Sequence, residues 1–117
     1  MIAAALLFQA AAMPPQDWSN LPIFPLPRAR EVTDGSAYVR TELASGRCRV
    51  AAPPVVAPVA ILVGTSGQVV RIVPRAIDCP TVEQYTVGYL LGMTRGGPGS
   101  ALPPRPGWYR LDVTYRW

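Results

Sequence analysis

The last nine residues, Tyr109-Arg-Leu-Asp-Val-Thr-Tyr-Arg-Trp117, constrain the fold more than any other stretch. Tyr109, Leu111, Val113, Tyr115 and Trp117 fall on one side of an extended backbone; Arg110, Asp112, Thr114 and Arg116 fall on the other. Successive side chains of a strand point to opposite faces, so the alternation predicts a half-buried β-strand over 108–117. The apolar set should meet a core, and the polar set should face outward. A closing strand is expected at a sheet edge or as the last strand laid down. An edge carries unpaired N–H and C=O groups that can accept a further strand.

The rest of the chain must supply that core from little material. Of 117 residues, 14 are Pro and 10 are Gly, concentrated in 14–27, 53–58 and 96–107. This leaves roughly 75–80 residues for one globular unit, a size at which stability is marginal and covalent staples help. Cys48 and Cys79 are the two cysteines. In an oxidising compartment they can close a loop of about 30 residues, worth about 3–4 kcal/mol by chain entropy; two buried free thiols are the alternative. With no His in the sequence, two cysteines do not complete a zinc shell, and neither a metal nor a cofactor is expected.

Residues 1–12 are uncharged, mostly apolar, and end in Ala10-Ala11-Ala12. They resemble the apolar region and small-residue cleavage site of a secretory signal, although no charged segment precedes them. They are too short for a membrane span, which takes about 20 apolar residues. Export to the periplasm or beyond is therefore expected, in agreement with the cysteine pair. Residues 13–35 follow as a leader with Pro14, Pro15, Pro22, Pro25 and Pro27, extended and without regular structure. Its Trp18, Ile23 and Phe24 can be pinned to the domain or belong to a tether. The folded domain is expected over 36–117.

Within that domain, residues 36–45 fit a short helix, with Ser36 as N-cap, Val39 and Leu43 one turn apart, and Gly46 closing the end. Tyr38, Val39 and Thr41 favour β structure, which makes a strand the rival reading; the helix is the one expected. Residues 55–63 are apolar on both faces and rich in Val, which predicts a buried strand. Gly64-Thr-Ser-Gly67 supplies a turn into a second strand over 69–77, with Gly67 at a positive φ. Thr81 and Gln84 fit a capping box at the start of a helix over 81–95. Val82, Tyr85, Tyr89, Leu90 and Met93 form its apolar stripe, and Gly88 and Gly92 suggest close packing on a sheet. The predicted fold is α+β in two layers: a small antiparallel three-stranded sheet against one helix, with a short extra helix.

The order helix, hairpin, helix, strand resembles the C-terminal domain of TonB-type energy transducers. The residues that carry the resemblance are the hairpin turn Val63-Gly-Thr-Ser-Gly-Gln-Val-Val70, the helix start Asp78-Cys-Pro-Thr-Val-Glu83 and the closing strand. It covers about residues 36–117 and implies a periplasmic module that binds a protein or peptide of the envelope, such as a segment of an outer-membrane receptor. It also implies that a homodimer can form through the last strand. The family's transmembrane helix and long Pro-rich rod are not found in this sequence. Residues 13–35 reach only about 75 Å at roughly 3.3 Å per residue, so binding is expected rather than force transduction.

The candidate partner-binding residues are Arg110, Asp112, Thr114 and Arg116, the outward set of the closing strand. A purely structural envelope component is the next reading. The aromatic C-terminus resembles the last strand of an outer-membrane barrel, but a barrel needs at least eight strands. Catalysis is not expected: without His, the acid–base candidates are Asp34, Glu42, Asp78, Glu83 and Asp112, and Cys79 lacks a partnering base. All 11 basic residues are Arg and lie scattered along the sequence, so the net charge of +4 is not a nucleic-acid patch.

Overall fold

A computed structural model of the chain describes residues 13–25, 31–32, 36–49, 53–94 and 105–117. The elements in order are β1 (Glu31–Val32), α1 (Ser36–Ala44), β2 (Val55–Val63), β3 (Val69–Pro74), α2 (Pro80–Thr94) and β4 (Gly107–Tyr115). The three antiparallel strands and two helices form the expected α+β unit. The sheet order is β1-β4-β2-β3, with β4 antiparallel to β2 and β1 added to β4 in parallel. The closing strand thus lies between β2 and the two-residue β1, which pairs with its Thr114–Tyr115 end, so its outer edge is occupied in part. The signal-like segment 1–12 and Arg95 lie outside the described residues.

β2 is covered fully on one face and in part on the other, where Val56 is exposed and Pro58 and Leu62 are half-buried. Val55, Ala57, Val59, Ile61 and Val63 point to the helices and join Leu111, Val113 and Tyr115 of β4 in the core. Val39 of α1, Val82 and Leu90 of α2, and the cysteine pair close that core from above. On the other face Ala60 is 0% exposed. The leader crosses this face. The Arg75 guanidinium donates to the Gln16 carbonyl and stacks 4.2 Å over the Trp18 ring. Arg110 Nε donates to the Leu21 carbonyl at 3.2 Å. Trp18 is 8% exposed yet stands apart from the helix-side core. Residues 16–21 are therefore held to this one face at two points, by Arg75 just past β3 and by Arg110 of β4.

The turn forms as its glycines require. Gly64 N–H donates to the Gln68 carbonyl, Gly67 N–H to the Gly64 carbonyl, and Gly67 has φ +80°. The second strand stops at Pro74, short of the expected residue 77. Arg75 N–H still donates to the Pro58 carbonyl, but Pro58 has no N–H to return the bond, so the ladder ends there.

The helix is capped differently from the expected Thr81–Gln84 box. It starts with Pro80 as its first residue, and Glu83 reaches back so that its carboxylate accepts from the N–H groups of Ile77 (3.0 Å) and Cys79 (3.3 Å). The buried stripe is Val82, Thr86, Leu90 and Thr94, with Tyr85, Tyr89 and Met93 half-buried beside it. Gly88 and Gly92 face outward, and a Cβ on either would meet nothing within 4 Å, so they mediate no close packing. Trp117, expected beneath the helix, lies past the end of β4 and is exposed.

α1 forms as a helix, and Gly46 closes it at φ +77°. Tyr38 stacks on Tyr85 of α2 at a ring separation of 4.6 Å. Cys48 and Cys79 form a disulfide, flanked by a bond from Arg49 N–H to the Asp78 carbonyl. The cross-link joins the chain leaving α1 to the start of α2. It is compatible with an oxidising compartment.

Candidate functional site

The parity of β4 decides which of its groups a partner can reach. Arg110 N–H donates to the Pro22 carbonyl at 2.9 Å, and Phe24 N–H donates to the Arg110 carbonyl at 2.9 Å. Even-numbered residues of β4 therefore turn their backbone groups away from β2, toward the outer edge, and odd-numbered residues turn theirs to β2. Ile23 sits in parallel register with Arg110, Glu31 with Thr114 and Val32 with Tyr115. This edge thus already accepts extended backbone, supplied by the same chain.

The four predicted contact residues have different fates. Arg110 is half-buried, and its guanidinium is engaged by the Leu21 carbonyl. Thr114 is half-buried opposite Glu31. Arg116 is exposed just past the strand. Asp112 is exposed and, with Ile23, Arg110 and Leu111, lines a cleft of about 180 Å³ beside the paired leader. Only Arg110 and Asp112 come together in one place.

Of the leader residues that the sequence left open between docking and a tether, Trp18 and Phe24 are buried and Ile23 is exposed; the contacts that sequence reasoning missed are Leu21 and Pro22. Phe24 is 1% exposed and lies edge-on to the Tyr109 ring, with centroids 5.8 Å apart. The Tyr109 hydroxyl is fixed by the Arg105 carbonyl at 2.7 Å. A signal was available: two large aromatics, Trp18 and Phe24, within a Pro-rich leader would leave much apolar surface in water unless docked.

The opposite edge of the sheet is poorly suited to strand addition. The pairing of Ala60 with Val73 and Leu62 with Arg71 turns the backbone of Ile72 and Pro74 outward. Pro74 has no N–H to offer, and the strand is six residues long, both of which discourage pairing.

Other polar groups serve the fold. Glu42 is 4% exposed and accepts from Arg47 at 3.1 Å. The hydroxyl of Tyr38, and after it the charge of Arg47, hold its carboxyl below the usual range against the opposing effect of burial. The two sulfurs are bonded to each other, so Cys79 has no thiolate to act as a nucleophile. Among the described residues no group of His, Cys, Asp or Glu could hold a metal ion, and no helix is long and apolar enough to cross a membrane. No family model, curated protein or solved structure matches this chain.

Proposed function

We propose that this protein is a non-catalytic protein-binding module of the cell envelope, TonB C-terminal-domain-like in design, that captures an extended peptide along the outer edge of β4. The observation that carries this reading is the parallel pairing of the chain's own residues 22–24 and 31–32 on that edge. Backbone hydrogen bonds supply affinity in such capture, and alternate side chains supply selectivity. The order helix, hairpin, helix, strand supports the TonB-like resemblance. The disulfide and the signal-like residues 1–12 support export to the periplasm. The partner class is an envelope protein, such as a peptide segment of an outer-membrane receptor.

An amide-resolved titration of the exported protein tests the reading. Extended receptor peptides are expected to shift the amides of Trp108, Arg110, Asp112 and Thr114. Unchanged β4 amides at millimolar peptide would sink it. A second reading, a structural envelope component, is favoured by the same leader, because its docking covers part of the edge. Pairing of two copies through β4 would require that leader to leave. Sedimentation across a range of concentrations distinguishes a dimer from the monomer that peptide capture needs.

A further inference from the structure

The resident leader shows what the edge selects. Of the segment Leu21–Phe24, the Pro22 carbonyl and the Phe24 N–H bond to Arg110. Ile23 turns outward and is 65% exposed, while the Phe24 ring enters the core against Tyr109. Such alternation makes the aromatic position discriminating and the preceding position tolerant. A strand that kept this register past Phe24 would place its next residue opposite Asp112; the leader itself bends there, at Pro25. Proline offers that carboxylate no donor. Asp112 is exposed, forms no ion pair among the described residues, and borders the cleft of about 180 Å³.

Resting on the strand-capture reading, we infer that the edge takes a parallel peptide with an aromatic residue in the Phe24 position and a basic residue immediately after it, opposite Asp112. The leader is then a resident competitor lacking the second feature. As part of the same chain it competes with any incoming peptide, so the wild-type edge binds extended peptides more weakly than the Phe24→Ala edge. A partner that carries both features displaces it. The aromatic side chain fills the site beside Tyr109, and the new cation pairs with Asp112, which the leader leaves unused.

The test uses the full chain carrying Phe24→Ala, which vacates the anchor position. Three synthetic decapeptides spanning residues 16–25 are titrated: the natural sequence, Phe24→Ala and Pro25→Lys. Amides of Tyr109, Arg110 and Asp112 report occupancy. The natural peptide is expected to bind at least about tenfold more tightly than its Phe24→Ala form, from the loss of a buried ring. Pro25→Lys is expected to gain about two- to fivefold, the range of an exposed ion pair, and that gain should vanish when the protein also carries Asp112→Asn. Equal binding of all three peptides at β4 overturns this inference and leaves strand capture standing. No β4 shift with any peptide overturns both. A wild-type dimer giving the same shifts would assign the edge to a second copy's leader, which also overturns the inference. If Phe24→Ala does not fold, Phe24→Leu carries the same comparison, because it keeps an apolar side chain while lacking the ring.

Discussion

Tyr115 is fully buried at the end of β4, and its hydroxyl lies 2.7 Å from Thr86 Oγ1. Thr86 gives its own proton to the Val82 carbonyl at 2.8 Å, so the tyrosine donates to the threonine. Burial raises the Tyr115 hydroxyl from 10.0 to about 12. A raised folded-state value means the contribution to stability is complete below pH 10 and is lost as pH rises toward about 12. Thermal melts followed by circular dichroism should show a steep fall in Tm over that window. Tyr115→Phe should flatten this fall, at a cost near neutral pH of about 1 kcal/mol for the lost hydrogen bond. An identical alkaline slope in the variant would assign the loss to other groups. The inward direction of Tyr115 was legible from strand alternation. Thr86 was not, because a helical threonine reads as polar surface until a partner hydroxyl comes from another element. Asp112 was legible as outward-facing, but its isolation beside the leader depends on a register that periodicity does not contain.

At the scale of elements, the hairpin and both helices follow from local chemistry: a Gly-ended turn, apolar runs of the right length, and Pro80 at a helix start. The misread features depend on what each element meets. Spacing points to a Thr81–Gln84 box, yet the bonds that form are those of Glu83 to Ile77 and Cys79, which run back to residues before the helix. Gly88 and Gly92 suggested a tight helix–sheet contact, but the burial of Val82, Thr86, Leu90 and Thr94 turns them to the outside. With space at both positions, Gly88→Ala and Gly92→Ala should each stabilise the protein by roughly 1 kcal/mol, the difference in helix propensity. Urea unfolding midpoints measure this, and the two gains should add to within about 0.5 kcal/mol if neither residue has a packing role. A loss of stability in either variant would indicate that the outer face of α2 makes a contact in solution.

For the whole molecule, the order of strands was the least legible property. The alternation in Tyr109–Trp117 specifies two faces but is silent on how many neighbours the strand has. Placing β4 between β2 and β1 depends on docking of the leader, whose Trp18 and Phe24 carry the only local sign of it. Leader and disulfide compensate for a small core in complementary ways. The leader covers part of the sheet face away from the helices, where Ala60 is buried, whereas the Cys48–Cys79 bond links residues 31 apart across the helix side. The bond acts mainly on the unfolded chain, so breaking it should cost about 3–4 kcal/mol of unfolding free energy without moving the leader. For a domain of this size, whose stability falls within roughly 5–15 kcal/mol, that is a large share. Urea unfolding of the oxidised protein and of Cys48→Ala/Cys79→Ala measures it. The assigned indole N–H resonance of Trp18 in native buffer reports whether the leader stays in place. A cost below about 1 kcal/mol would mean that the unfolded chain is already restricted in this loop. A changed Trp18 signal in the folded variant would show that the two faces of the sheet are coupled, and that loss of the cross-link also frees the β4 edge.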